Sequence, residues 1–278
     1  MSHPEKVLWP LVGFTKGQLL HYYERVAPVL VAHLRDRPLT LGRFPDGIES
    51  RGFAQLECRG RPAWMRTAAV QLRDGRVRRL CLVDGLESLR WVANLNTIEL
   101  HVFLGTASSL SQPTGVLFDL DPEPPAGFAD ASRVALRLRE RLSALGLTAV
   151  VKTTGGSGLH VLAPLNSAHS YSQTRGFARR VAADLAASDE RVASSAARRS
   201  MRRGQVLVDW AQNNERRTMV APYSLRAADV PLVSAPVLWS ELEAGEQLWF
   251  GPREVLERVE RIGDPFGPAL SLEQRLPQ

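Results

Sequence analysis

Residues 116–125 read VLFDLDPEPP, an apolar run that carries two carboxylates, Asp119 and Asp121, one residue apart and then meets proline. In a strand alternate side chains share a face, so both carboxylates project together, with Cα atoms roughly 6 to 7 Å apart. Two like charges that close raise each other's pKa unless a cation lies between them. A hard divalent ion, Mn²⁺ or Mg²⁺, is the economical partner, because it accepts carboxylate oxygens and completes its shell with water and phosphate. Pro122 is expected to end the strand at the second carboxylate and to set the pair at the sheet's edge. A bare D-x-D is short and frequent, and alone it describes two solvated aspartates near a turn. Asp209 in VLVDW, again closing an apolar strand, is a third carboxylate of the same kind. Three such residues describe a two-metal site, whose ions sit about 3.5 to 4 Å apart.

The loop KTTGGSGLH, residues 152–160, has the chemistry of a phosphate reader. Its glycines let backbone N–H groups approach an anion, Thr153, Thr154 and Ser157 offer hydroxyls, and His160 follows. It is not a Walker A loop, which needs G-K-[ST] opening a helix. Taken alone, GGSG is an ordinary hairpin turn and His160 a packed core histidine. Of 35 basic residues only Lys6, Lys16 and Lys152 are lysine, a skew expected of a GC-rich genome. Each remaining lysine is therefore a candidate for work that a compact ammonium does better than a guanidinium.

The elements that must position these residues follow from periodicity. Thr15 can cap a helix over residues 16–34. An extended PLTLGRFPDG, a loop-rich span, the strand RRLCLVD, a short helix in LESLRWVANLN and a strand in TIELHVFLG make the first third mixed α and β. Strand 116–121 leads to Asp130 as a helix N-cap, and an apolar stripe runs from Val134 to Leu145, with Gly146 as its C-cap. Then come LTAVVK, the glycine loop, LHVLAPL, a long helix over residues 171–187, a basic helical stretch ending in RRSMRRG, and the strands QVLVDW and RTMVAP. Two short helices close the chain, around LWSELEAG and PREVLERVERIG. With no internal repeat and no long linker, residues 1–278 read as one α/β domain.

The 278 residues are 44% hydrophobic and 23% charged, enough for one large core or two modest ones. No apolar run reaches membrane-spanning length and MSHPEKVLWP is no signal peptide, so no membrane partner and a cytoplasmic location are expected. Cys58 and Cys81 lack metal-ligand spacing, and neither zinc nor a disulfide is expected. A net charge of +6 favours polyanionic partners.

In this order and spacing, VLFDLDP, VKTTGGSGLHVLAPL and VLVDWAQNNERRTMVAPYSLRA resemble the three catalytic motifs of the archaeo-eukaryotic primase superfamily. The closest resemblance is to the polymerase domain of bacterial DNA ligase D, which serves non-homologous end joining. It runs from EKVLWP to VLERVERIG, and DWAQN with APYSLRA is its most specific part. It implies a primase-polymerase fold, an RRM-like catalytic sheet packed beside a second sheet with flanking helices. It also implies metal-dependent nucleotidyl transfer with a preference for ribonucleotides, on NTP or dNTP substrates.

By motif position, Asp119, Asp121 and Asp209 would hold the metals. Thr154, Gly155, Ser157, Gly158 and His160 would hold the triphosphate, with Arg226 and Arg43 adding charge. His101 matches a histidine near the nucleotide sugar, and Lys6 and Lys16 match lysines that bind the 5′-phosphate of DNA at a gap or broken end. Ser157 stands where many relatives have lysine, and RGFAQ keeps Phe53 for template stacking with Ala54 where a second aromatic is common. The sequence shows no ligase or nuclease domain, so a ligase in trans and a Ku-type partner, at the nucleoid, are the implied company. The rivals are a DNA end-binding protein without catalysis and a D-x-D nucleotide-sugar transferase.

Overall fold

The computed structural model describes residues 2–72, 74–195 and 201–277. The chain divides into two compact units, each discontinuous in sequence: residues 1–108, 218–235 and 250–264 form the first, and residues 109–217, 236–249 and 265–278 the second.

In chain order the first unit opens with β1 (Val7–Trp9), β2 (Phe14–Thr15), α1 (Lys16–Leu34), β3 (Pro38–Arg43), β4 (Phe53–Gln55), β5 (Thr67–Gln71), β6 (Val77–Leu82), α2 (Leu86–Asn94) and β7 (Thr97–Phe103). The second unit follows with β8 (Gly115–Pro122), α3 (Phe128–Ala144), β9 (Val150–Thr153), β10 (Leu159–Pro164), α4 (Tyr171–Ser188), β11 (Val192–Ser194) and β12 (Val206–Asp209). The first then adds β13 (Thr218–Val220), β14 (Leu225–Ala227) and β15 (Pro231–Val233), and the second adds β16 (Pro236–Val237) and α5 (Trp239–Glu243). Finally α6 (Pro252–Ile262) belongs to the first and α7 (Pro268–Ser271) to the second.

The first unit is built on a sheet of order β13-β7-β3-β6-β5, with β4 paired to β3. Thr15 caps α1 as its sequence requires: its hydroxyl accepts from Gln18 N, and the Gln18 side chain accepts from Thr15 N, a reciprocal pair typically worth about 1 kcal/mol. Tyr22 and Tyr23 are buried, and their hydroxyls donate to the carbonyls of Tyr223 and Ile98. The loop-rich span holds a strand that alternation did not reveal, β5, and a disulfide. Cys58 and Cys81 are joined, with Cα atoms 5.0 Å apart, contrary to the expectation from spacing. Cys58 N donates to Arg79 O, so chain pairing beside β6 brings the two thiols together, which sequence separation does not foretell.

The second unit contains the element series β8-α3-β9-β10-α4-β12, a split βαβ repeat. Its sheet has the order β11-β12-β8-β10-β9-β16, so the four strands of that series stand as fourth, first, third, second, the RRM-like arrangement. Central β8 is covered on the face bearing Phe118 and Leu120, both fully buried, where α3 and α4 pack. Truncating Phe118 to alanine there would cost about 3 to 5 kcal/mol.

Three local readings change. Asp130 is not the N-cap of α3 but its third residue: Gly127 caps, and the Asp130 carboxylate accepts from Gly127 N. Leu145 is the C-cap, with Gly146 one place beyond it in the left-handed region (φ +77°). The basic stretch after α4 begins as strand β11 rather than helix, and residues 196–200 lie outside the described residues.

Candidate active site

Asp209 on β12 stands opposite Asp119 on β8, Asp119 opposite His160 on β10, and His160 opposite Lys152 on β9. Directly paired residues send their side chains to the same face, so four strands contribute one line of carboxylate, carboxylate, imidazole and ammonium. Asp121 lies two residues along β8 on that face and is exposed. β8 is a central strand, so the carboxylates do not lie on an edge strand as expected. The edge is local: pairing with β10 stops at Leu120, whereas pairing with β12 continues through Pro122. The missing proline N–H thus falls where β10 has already turned away.

The glycine loop is that turn. Thr154 N and Thr154 Oγ1 both donate to Gly158 O, at 3.0 and 3.1 Å, which closes the loop and engages the threonine hydroxyl internally. Gly155 takes φ +81°. A Cβ on Gly158 would stand 2.8 Å from Leu120 O and 3.3 Å from Asp121 Oδ1, so glycine lets the loop lie against β8 and the second carboxylate. Ser157 is exposed at the tip.

Asp119 and Asp209 are held by neighbours of which the motif reading had assigned only His160, and that to the triphosphate. His160 Nε2 is 3.2 Å from Asp119 Oδ1, and Gln212 Nε2 donates to Asp119 Oδ2 at 3.3 Å. Burial alone would raise the Asp119 pKa; the charge and hydrogen bond of His160, the Gln212 amide and the Lys152 charge outweigh it and hold the carboxyl below its usual range. Asp209 Oδ1 accepts from Ser195 Oγ at 2.6 Å and Ala211 N at 2.7 Å, and Arg217 stands 3.9 Å from Oδ2. Asn213, fully buried, accepts from Leu117 N and donates to Leu117 O, pinning the turn after β12 to β8. Lys152 is also fully buried. Its scarcity as a residue type singled it out in the sequence; the role of Gln212 had no signal beyond its place in DWAQN.

A metal fits this donor set by chemistry: three aspartates on one face of neighbouring strands offer only hard oxygens. Among the described residues, however, no three acidic, histidine or cysteine side chains are gathered in metal-holding geometry. Asp119 bonds to His160 and Gln212, and Asp209 to Ser195, so these oxygens are engaged by protein partners rather than turned to a common point. Beside them a cleft of about 390 Å³ is lined by Asp121, Pro122, Glu123, Met201, Arg203 and Leu207.

The first unit holds the remaining candidates. His101 on β7 has its Nε2 at 2.9 Å from Glu99 Oε2, and Arg226 Nε lies 3.5 Å from Glu99 Oε1. Burial would raise the Glu99 carboxyl, but bonding to His101, the Arg226 charge and Ala227 N pull it down. Arg43 donates to Leu95 O and Gln55 Oε1 and stacks over Phe53, 5.4 Å from the ring centroid; Phe53 is otherwise exposed. Lys6 pairs with Asp46 at 3.1 Å, and Lys16 Nζ donates to Ser2 Oγ. Burial, then the charges of Lys6 and Arg43, lower the pKa of Lys16, so both cations act on its ammonium. The start of α1 adds less than a helix N-terminus can, because Lys16 N and Gly17 N already donate to Lys6 O and Pro4 O.

The whole chain superposes on the polymerase domain of Mycobacterium tuberculosis ligase D in complex with DNA, with a TM-score of 0.92 and 32% identity over 99% of this chain and 98% of that one. This is the class the fold and site define: a primase-polymerase domain of mixed helix and sheet. The family model for the LigD primase-polymerase domain matches residues 15–266, and the chain belongs to that family. It is 32% identical over 271 residues to the multifunctional non-homologous end joining protein LigD of Mycolicibacterium smegmatis, covering 96% of this chain, and 30% identical over 288 residues to that of Pseudomonas aeruginosa, covering 99%. The chain spans about a third of the length of these relatives, 35% and 33%.

Proposed function

We propose that this chain is a template-directed nucleotidyltransferase that adds nucleotides, ribonucleotides in preference, to 3′ ends at gaps and double-strand breaks in end-joining repair. The observation that carries the reading is the Asp209, Asp119, His160, Lys152 line with Asp121 beside it, in a member of the LigD primase-polymerase family. We treat residues 1–278 as one domain, a reading supported by a family match that crosses both units. A cytoplasmic, nucleoid-associated location and a Ku or ligase partner belong to the same proposal; no helix among the described residues is long and apolar enough to cross a membrane.

Asp119, Asp121 and Asp209 would hold divalent cations, Mn²⁺ or Mg²⁺. Bound there, the ions would acidify the attacking hydroxyl and neutralise triphosphate charge. His160 keeps Asp119 ionised and fixes its orientation with Gln212, and Ser195 holds Asp209. The backbone of the 154–158 loop, with Ser157, would bind phosphate oxygens, and Arg226 would add charge. His101, steadied by Glu99, would read the ribose 2′-OH, which a built site discriminates because the deoxy analogue leaves polar groups unpaired. Phe53 would stack on the template, and Lys6 and Lys16 would hold a 5′-phosphate.

The test is nucleotide addition on a gapped, 5′-phosphorylated duplex with Mn²⁺ and either rNTPs or dNTPs. Wild type is expected to extend the primer, and Asp119→Ala, Asp121→Ala and Asp209→Ala to lose addition by more than about a hundredfold while still binding DNA. Extension near the wild-type rate by any of the three removes that residue from the site. No extension by wild type, with DNA binding intact, favours the end-binding protein.

A further inference from the structure

Trp210 follows Asp209 directly, and its indole is held unlike the carboxylate before it. Arg175 and Arg179, one turn apart on α4, both lie over its ring, with guanidinium carbons 5.2 and 5.9 Å from the centroid. The Trp210 Nε1 is buried and has no hydrogen-bond partner among the described residues, so stacking rather than its N–H fixes the ring. These residues line a cleft of about 500 Å³ together with Ser172, Asn214 and Glu215.

Three features make this a surface for a ligand rather than a solvated helix face. Both arginines are exposed, yet among the described residues neither has a carboxylate within ion-pair distance, whereas Arg137 and Arg141 of α3 each have one. Both guanidinium carbons lie over the indole ring, and with no carboxylate in ion-pair distance among the described residues their N–H donors remain to bond an anion. Thr174, Phe177, Ala178 and Val181 are buried along the opposite side of α4, which fixes where the two arginines project. The helix N-terminus itself contributes nothing, because Ser170 and Gln173 cap it reciprocally.

We infer that the Arg175, Arg179, Trp210 cleft binds the phosphate backbone of single-stranded nucleic acid, as a contact separate from the aspartate line. Paired cations beside an aromatic ring are the composition of single-strand grooves, and the net charge of +6 favours a polyanion. Glu215 also lines the cleft, and a lining of two cations and one anion suits a spaced backbone better than a dense acidic cluster. The inference rests on the polymerase reading only for where such a strand comes from, a protruding or displaced end.

The test is fluorescence anisotropy with a 5′-labelled oligo(dT) and with a blunt duplex of equal length, over a range of salt. The variants are Arg175→Ala/Arg179→Ala, Arg175→Lys/Arg179→Lys and, as a control, Arg180→Ala, which removes a neighbouring charge of the same helix outside the cleft lining. The double alanine variant is expected to weaken oligo(dT) binding by about tenfold or more, and to flatten the slope of log K against log salt by roughly 0.7 for each lost contact. Blunt duplex and Arg180→Ala should show much smaller changes. The lysine pair should keep the salt slope but not the full affinity, because it keeps charge without the stacked fork. It also serves as the readable variant if the alanine pair does not fold, judged by thermal unfolding. Equal losses from Arg180→Ala, or equal losses on duplex, would reduce the cleft to general surface charge and overturn the site. Oligo(dT) binding by the double alanine variant at wild-type affinity and salt slope would overturn the ligand class.

Discussion

At the scale of single residues, the aspartates are less informative than what holds them. Gln212 is one hydrogen bond from Asp119 and presents no chemistry of its own. If Asp119 is a metal ligand, Gln212→Ala should weaken Mn²⁺ affinity, read by isothermal titration, by about 10- to 100-fold, the usual cost of losing an outer partner of a ligand; unchanged affinity would leave Gln212 a surface amide. Glu99 stands in the same relation to His101. Glu99→Ala frees the imidazole to rotate and to change tautomer, so the ratio of rNTP to dNTP efficiency should fall several-fold with total extension less affected. Direct competition between the two sugars measures it, and a ratio that stays at the wild-type value would detach Glu99 from sugar reading.

At the scale of elements, the junction of α4 with β11 is fastened by Asp189. Its carboxylate accepts from Arg191 N and the Arg191 side chain and pairs with Arg137 of α3. Bonding to Arg191 is the main cause of a carboxyl pKa lowered to about 2. A depressed folded-state pKa contributes stability that is fully present above the unfolded value, near 4, and is lost as pH falls through about 2. Urea midpoints measured from pH 7 down to 2 should therefore fall less steeply for Asp189→Asn than for wild type, starting from a lower value at neutral pH. Parallel curves would mean that the carboxylate is equally well paired in the unfolded chain.

At the scale of the whole molecule, a basic protein meets DNA everywhere, and a cluster such as Lys6, Lys16 and Arg43 matters only if it distinguishes one phosphate from another. A terminal phosphate carries more charge than a diester, so a small cationic cluster can tell a broken end from continuous duplex. Lys6→Ala/Lys16→Ala should erase the preference for 5′-phosphorylated over 5′-hydroxyl gapped DNA in binding titrations. It should also flatten the salt dependence by about 0.7 to 0.9 per lost contact. An equal loss on both DNAs would make the lysines ordinary surface charge.

The motif strings around Asp119, the glycine loop and Asp209 carried the resemblance to the family, while residue types and their alternation determined the strand that carries Asp119 and Asp121, the capped helix from Lys16 and the turn at the glycine loop. These depend on properties of short segments: period, capping and glycine conformations. Pairing between distant segments was not legible. Asp209 faces Asp119 across 90 residues of chain, and Lys152 falls in line with His160, because turns and packing set strand register and a slip of one residue would reverse every side chain. The same holds for the Cys58 to Cys81 bond, for the early N–H groups of α1 already engaged by Lys6 and Pro4, and for the arginines stacked on Trp210. Each joins groups that no local pattern connects, and only the folded chain could bring them within bonding distance.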